Sequence, residues 1–167
     1  VEQKLARKAD QTTRMESLSS ILGFLQPIQR LECFDVSHLS GESTVASCVV
    51  FDATGPRKSD YRKFNIKNAA PGDDYGAMHE ALKRRYTRLV KEDRAMPEVL
   101  VVDGGKGQVT QAENVLKSLE IKTILVVGIA KGPSRKPGLE TLVMTGRSKV
   151  KRLDTDSPAL QLLQYIR

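Results

Sequence analysis

The sequence contains no tryptophan, and aromatic residues make up only 5% of it. The core must therefore be mainly aliphatic, and no interleaved aromatic stripe offers platforms for stacking nucleobases. Cysteine is almost as scarce. Cys33 and Cys48 are the only two, both in strand-like runs and without CxxC or Cys/His spacing. That excludes a zinc site on spacing grounds and makes both small buried hydrophobes rather than a disulfide framework. Long apolar runs are missing too. The longest, Ile124 to Ala130, falls far short of the roughly 18 residues of a membrane span. The start carries Glu2, Lys4, Arg7 and Lys8 with no apolar stretch behind them. It is not a secretory signal, and a cytoplasmic location is expected. Val1 in place of Met suggests a fragment of a longer protein. There is no internal repeat and no low-complexity tract.

What is present is an excess of cationic side chains. Lys and Arg total 27 against 20 acids, a net charge of +7 in 167 residues, 40% of which are apolar. That length suits one domain with an ordinary core. The charge favours an anionic partner, nucleic acid before lipid.

Met15, Leu18, Leu22 and Leu25 recur at helical spacing within residues 1–26, and Pro27 closes the segment. Leu31–Ser37, Val45–Asp52 and Tyr61–Lys67 read as three strands of an antiparallel meander, with a Gly55-Pro56 turn between the last two. Asp73 or Asp74 can cap a helix bearing Tyr75, Met78, Leu82, Tyr86 and Leu89 on one face. Val99-Leu100-Val101-Val102 and Ile124–Ile129 read as strands buried on both faces. A helix carrying Val109, Ala112, Val115, Leu116 and Leu119 lies between them. A basic Gly/Pro-rich loop runs from Lys131 to Gly138, a hairpin is expected around Gly146, and Ser157-Pro158 begins a last helix. The predicted architecture is α/β: three antiparallel strands, then parallel βαβ strands, in a mixed sheet flanked by helices. Residues 1–29 form a helical lead-in to a domain spanning 30–167.

Two aspartates stand out by position. Asp35 falls within the first strand, and Asp103 closes the run Val99–Val102. A carboxylate in a buried strand needs a hydrogen bond or a cation. Two on neighbouring strands repel each other unless a divalent ion such as Mg²⁺ or Mn²⁺ stands between them. With such an ion, phosphodiester hydrolysis is the expected chemistry. Taken singly, Asp103 also suits a polar strand end or a helix cap, and Asp35 a hydrogen-bonded structural role. Strand alternation points His38 away from Asp35, and His79 reads as a surface or half-buried residue. Gly104-Gly105-Lys106-Gly107-Gln108 joins a strand to a helix and could hold a phosphate on backbone N–H groups, although it is not a Walker A loop. Lys106 would neutralise that phosphate, or would simply be exposed in a tight turn. Arg84, Arg85, Lys131, Arg135 and Lys136, with clusters at Arg57-Lys58, Arg62-Lys63 and Arg147–Arg152, are candidates for DNA backbone contacts. A non-catalytic nucleic-acid-binding domain and a phosphate-ligand enzyme remain competing readings.

The stretches Glu32–His38, Gly72-Asp73-Asp74-Tyr75, Val102–Gln108, Ile129-Ala130-Lys131-Gly132 and Ser157–Gln164 closely resemble the C-terminal half of the UvrC family of excinuclease ABC proteins. The match runs in order from about Arg30 to the end. It implies a ribonuclease H-like endonuclease fold and incision of damaged DNA on the 5′ side of a lesion. The implied partners are UvrB, with UvrA acting upstream. Position by position, it implies that Asp35 and Asp103 are metal-binding catalytic aspartates and that Asp74 is a third functional acid. The family's remaining catalytic histidine falls in a segment following Arg167. The resemblance therefore implies a domain incomplete at its C-terminus, and weak activity without that segment. The family's second nuclease domain and helix-hairpin-helix modules are likewise outside this sequence.

Overall fold

The apolar runs of the sequence become the centre of one sheet. A computed structural model describes residues 2–39, 43–130, 141–144, 150–152 and 157–166. In chain order these residues form α1 (Glu2–Ile21), β1 (Arg30–His38), β2 (Thr44–Asp52), β3 (Gly55–Pro56), a 3₁₀ turn (Lys58–Asp60) and β4 (Arg62–Asn65). They continue as α2 (Asp74–Lys91), β5 (Val99–Asp103), α3 (Lys106–Ser118), β6 (Leu125–Ala130), β7 (Thr141–Met144), β8 (Val150–Arg152) and α4 (Pro158–Ile166). The strand order is β3-β2-β1-β5-β6-β7-β8, with β4 also pairing β2. β1 and β2 are antiparallel, β1, β5 and β6 are parallel, and β7 returns antiparallel to β6. This is the mixed α/β sheet that the alternation of patterns predicts.

Both faces of the central strands are covered. Leu31, Cys33, Val99, Val101, Val127 and Ile129 pack beneath Met15 and Leu18 of α1 and Leu160 and Leu163 of α4. Phe34, Val50, Leu100, Val102 and Val126 pack under Met78, Leu82 and Tyr86 of α2 and Val109, Ala112 and Val115 of α3. Burial on two sides explains why β5 and β6 read as unbroken apolar runs rather than alternating ones. Each such Leu or Val contributes about 1.5–3 kcal/mol by leaving water.

Local differences from the sequence reading have physical causes. α1 stops at Ile21, because Gly23 takes a φ of +84° and turns the chain. Leu25, expected on the apolar face, is consequently 99% exposed. The Gly55-Pro56 turn adds a two-residue strand against Phe51 and Asp52. The third meander strand is limited to Arg62–Asn65.

Candidate active site

Among the described residues, the most deeply buried carboxylate is neither of the two expected to need compensation. It is Glu32 of β1, fully buried and not singled out by the sequence pattern. Its two oxygens accept from Arg85 Nε and Nη2 at 3.2 and 3.0 Å, from Arg30 Nε at 3.0 Å and from Tyr86 Oη at 3.0 Å. Arg30 also donates to Asp60 at 2.9 Å. Burial works against the Arg85 charge, but the Glu32 bonds outweigh it and raise its pKa. Burial pushes the nearby Cys48 thiol and Tyr86 hydroxyl up, the Glu32 charge adding to both. Arg85, expected at a DNA surface, is therefore corrected to a structural guanidinium committed to Glu32, with its side chain 8% exposed. It faces inward because positions 78, 82, 85 and 89 share one side of α2. The sequence cue available was helical spacing: Arg85 falls three residues after Leu82 and four before Leu89 on the apolar face, whereas Arg84 does not.

Three residues further along β1, Asp35 emerges from the covered part of the sheet and is exposed, while Asp103 is half-buried. β1 and β5 pair in parallel register up to Phe34 opposite Val102. Asp35 and Asp103 are the next residue on each strand. They follow Cys33 and Val101 on the same face of the sheet. Both line one hollow of about 320 Å³, together with Val36, Asp74, Gly104, Gly105, Gln108, Ile129 and Ala130. The hollow opens at the C-terminal ends of the parallel strands, where ligands commonly bind in open α/β sheets.

Asp74 reaches the hollow from α2. Asp73 is the helix cap, accepting from Gly76 N at 2.9 Å. Asp74, the first helical residue, is thereby left to pair with His38 Nε2 at 2.6 Å, while His38 Nδ1 contacts Thr44 Oγ1 at 3.2 Å. His38 does point away from Asp35, as alternation requires, but that direction leads to α2 and Asp74. It joins the site through a neighbouring carboxylate, which strand periodicity alone does not reveal. His79 is half-buried in α2.

The glycines set the distance between β5 and α3. Gly104 has a φ of +150° and donates to Ile129 O at 2.9 Å. A Cβ there would meet Gln108 Cγ at 2.5 Å. Gly128 of β6 leaves room for the same turn, since a Cβ would lie 2.7 Å from Gly104 O. Gln108 is 8% exposed, lines the hollow, and its Oε1 has no hydrogen-bond partner. Sequence reasoning misses it, because a glutamine in a glycine-rich turn carries no signal of burial. Lys106 is exposed at the start of α3, outside the residues lining the hollow.

Arg84 is on the surface, donating to Asn65 O at 2.8 Å and lying 5.4 Å from the Phe64 ring centre. Lys131, Arg135 and Lys136 lie outside the described residues. Among the described residues, no group of three His, Cys, Asp or Glu side chains is close enough to form a complete metal site. No described helix is long and apolar enough to cross a membrane.

Comparison with known proteins follows the same lines. Residues 19–167 match the model of the UvrC RNAse H endonuclease domain. The chain is 52% identical over 164 residues to the UvrABC system protein C of Pseudomonas aeruginosa (strain LESB58), covering 98% of this chain and 27% of that protein. It is 53% identical over 165 residues to the UvrABC system protein C of Nitrosococcus oceani, with 99% and 27% covered. The chain thus spans little more than a quarter of these relatives. Among solved structures, human endonuclease V aligns with a TM-score of 0.47 at 25% identity, over 63% of this chain and 46% of that one.

Proposed function

The chain belongs to the UvrC RNase H endonuclease domain family, and from that premise we propose that it cuts DNA in nucleotide excision repair at the hollow between β1, β5 and α2. The observation that carries this reading is the in-register placement of Asp35 and Asp103 at the mouth of one cavity with Asp74. The side chains lining that cavity offer hard oxygen donors and no thiol or imidazole. That donor set suits Mg²⁺ or Mn²⁺, which keep several waters and need only one or two protein carboxylates. Such an ion does not need the group of three or more His, Cys, Asp or Glu ligands that is absent among the described residues.

Asp35 and Asp103 would hold the ion from adjacent strands. A divalent cation supplies there the Lewis acidity that polarises a phosphodiester. Asp74, fixed by His38, would orient groups at the edge of the hollow. α3 begins beside it on Gly105, with no side-chain cap, so the positive end of its dipole is available to a phosphate. Lys106, one residue on, would add charge at the rim. Arg84 is the described surface arginine proposed for backbone contact, and Lys131, Arg135 and Lys136 are proposed for the same role. The product of hydrolysis would carry a 3′-hydroxyl and a 5′-phosphate, on the 5′ side of a lesion. The damage-recognition proteins of the excinuclease are the proposed partners, in the cytoplasm.

Asp35→Asn and Asp103→Asn in the intact protein test this. Each should lower nicking of damaged DNA by about 10²-fold or more, the scale of losing one preorganised electrostatic group in an active site. Circular dichroism should stay unchanged. Wild-type cutting by either variant removes the assignment. A non-catalytic DNA-binding domain is the rival that the incomplete acid cluster favours. It predicts DNA binding with no response to Mn²⁺.

A further inference from the structure

Gln108 is the second residue beyond Lys106 on α3, and its side chain lies against Gly104 at the back of the hollow. Its carbonyl oxygen is sealed from solvent and accepts no hydrogen bond. A buried acceptor without a donor is destabilising, and such groups usually mark a partner that the protein alone does not supply. The surroundings narrow what that partner is. The other side chains lining the hollow are three aspartates, Val36, Ile129 and Ala130, together with two glycines. Ionised carboxylates only accept, and the aliphatic groups do neither. The N–H of Gly104 is already given to Ile129 O. None of the described side chains lining the hollow can therefore donate to Gln108, which sits among carboxylate acceptors rather than beside a donor.

We infer that the carbonyl oxygen of Gln108 is a third protein oxygen for the cation held by Asp35 and Asp103, an inference that rests on the metal-dependent reading above. A neutral carboxamide is an accepted ligand for hard cations. The Cγ of Gln108 occupies the space that a Cβ at position 104 would need, and rotation about the broad terminal torsion turns the oxygen without moving the rest of the side chain. The role explains why the turn uses glycine at 104: any Cβ there would push the amide out of place. It also supplies a third oxygen without adding a third negative charge to Asp35 and Asp103.

The test is Mn²⁺ binding to the intact protein by calorimetry, with thermal unfolding of the metal-free and Mn²⁺-loaded forms. Gln108→Met keeps the length and removes the oxygen. It should weaken Mn²⁺ binding about ten-fold, in the range seen when groups supporting a metal site are lost. Its metal-free midpoint should be no lower than wild type, because an unpaired oxygen has gone. Gln108→Glu should bind Mn²⁺ at least as tightly as wild type. Unchanged Mn²⁺ affinity in Gln108→Met overturns the inference, whether or not its metal-free midpoint falls. Should Gln108→Met fail to fold, weaker binding by Gln108→Glu overturns it instead. Absence of Mn²⁺ binding in wild type overturns the metal reading and this inference together. Loss of binding in Asp103→Asn, with wild-type affinity in Gln108→Met, overturns this inference alone.

Discussion

Glu32 and Asp35 sit three residues apart on β1, and burial separates their roles. Glu32, on the side of the sheet covered by α2, is matched by Arg85, Arg30 and Tyr86. Asp35, on the opposite side and past the end of the packed region, looks onto the hollow. Arg85→Met should therefore destabilise the fold by about 3 kcal/mol, the lower end for breaking a buried pair, because Arg30 and Tyr86 still bond Glu32. Urea denaturation measures it. The folded variant should bind DNA as wild type does, and a loss of DNA affinity without a loss of stability would restore Arg85 to the surface role. The sequence made Asp35 and Asp103 visible because each ends or interrupts an apolar run. It hid Glu32, whose partners Arg85 and Tyr86 come from α2 some fifty residues later, and Gln108, whose burial depends on how closely α3 approaches β5.

At the level of elements, the N-terminal end of α2 is held by two separate devices. Asp73 caps the helix, and Glu80, further along it, accepts from the backbone N–H groups of Lys67, Asn68 and Ala69 at 2.8, 2.8 and 3.2 Å. Burial alone would raise the Glu80 pKa, but these three donors, with Arg84 nearby, hold it below the usual carboxylate range. Its contribution is thus fully present above the ordinary glutamate value near 4.3 and is lost as pH falls through the depressed folded value. Glu80→Gln should cost about 1–3 kcal/mol at neutral pH, the scale of bonds to a charged acceptor. The difference from wild type should shrink in acid. An equal difference at every pH from neutral to strongly acid would contradict this ionic account. Gly104→Ala should also be destabilising, by about 1–3 kcal/mol for forcing a side chain into a positive-φ position, and should weaken metal binding by displacing Gln108. Wild-type Mn²⁺ affinity in that variant would separate the turn from the site. The order of elements was legible from periodicity and punctuation. The ends were less so: α1 reads through to Pro27 on spacing alone, but one glycine at positive φ ends it earlier.

For the whole molecule, the sheet divides the work. One face packs its core under α1 and α4, the other under α2 and α3, and Asp35, Asp74 and Asp103 line the hollow where the parallel strands end. The net charge of +7 sets a long-range expectation: DNA binding by the intact protein should fall steeply with salt, linearly in log–log form. Arg84→Ala should reduce the slope by about one unit without changing sequence preference. A slope unmoved by that change would take Arg84 out of the DNA path. Composition pointed to a polyanion and to an aliphatic core, whereas the placement of Asp35, Asp74 and Asp103 along one hollow depends on pairings between distant segments that only the fold supplies. The measurement that bears most directly on the account is anomalous scattering from a Mn²⁺-soaked crystal. A peak between the Asp35 and Asp103 carboxylates, within about 2.0–2.3 Å of an oxygen of each as hard-cation coordination requires, is the predicted result. Carboxylates that turn apart around an empty hollow at saturating Mn²⁺ would contradict it.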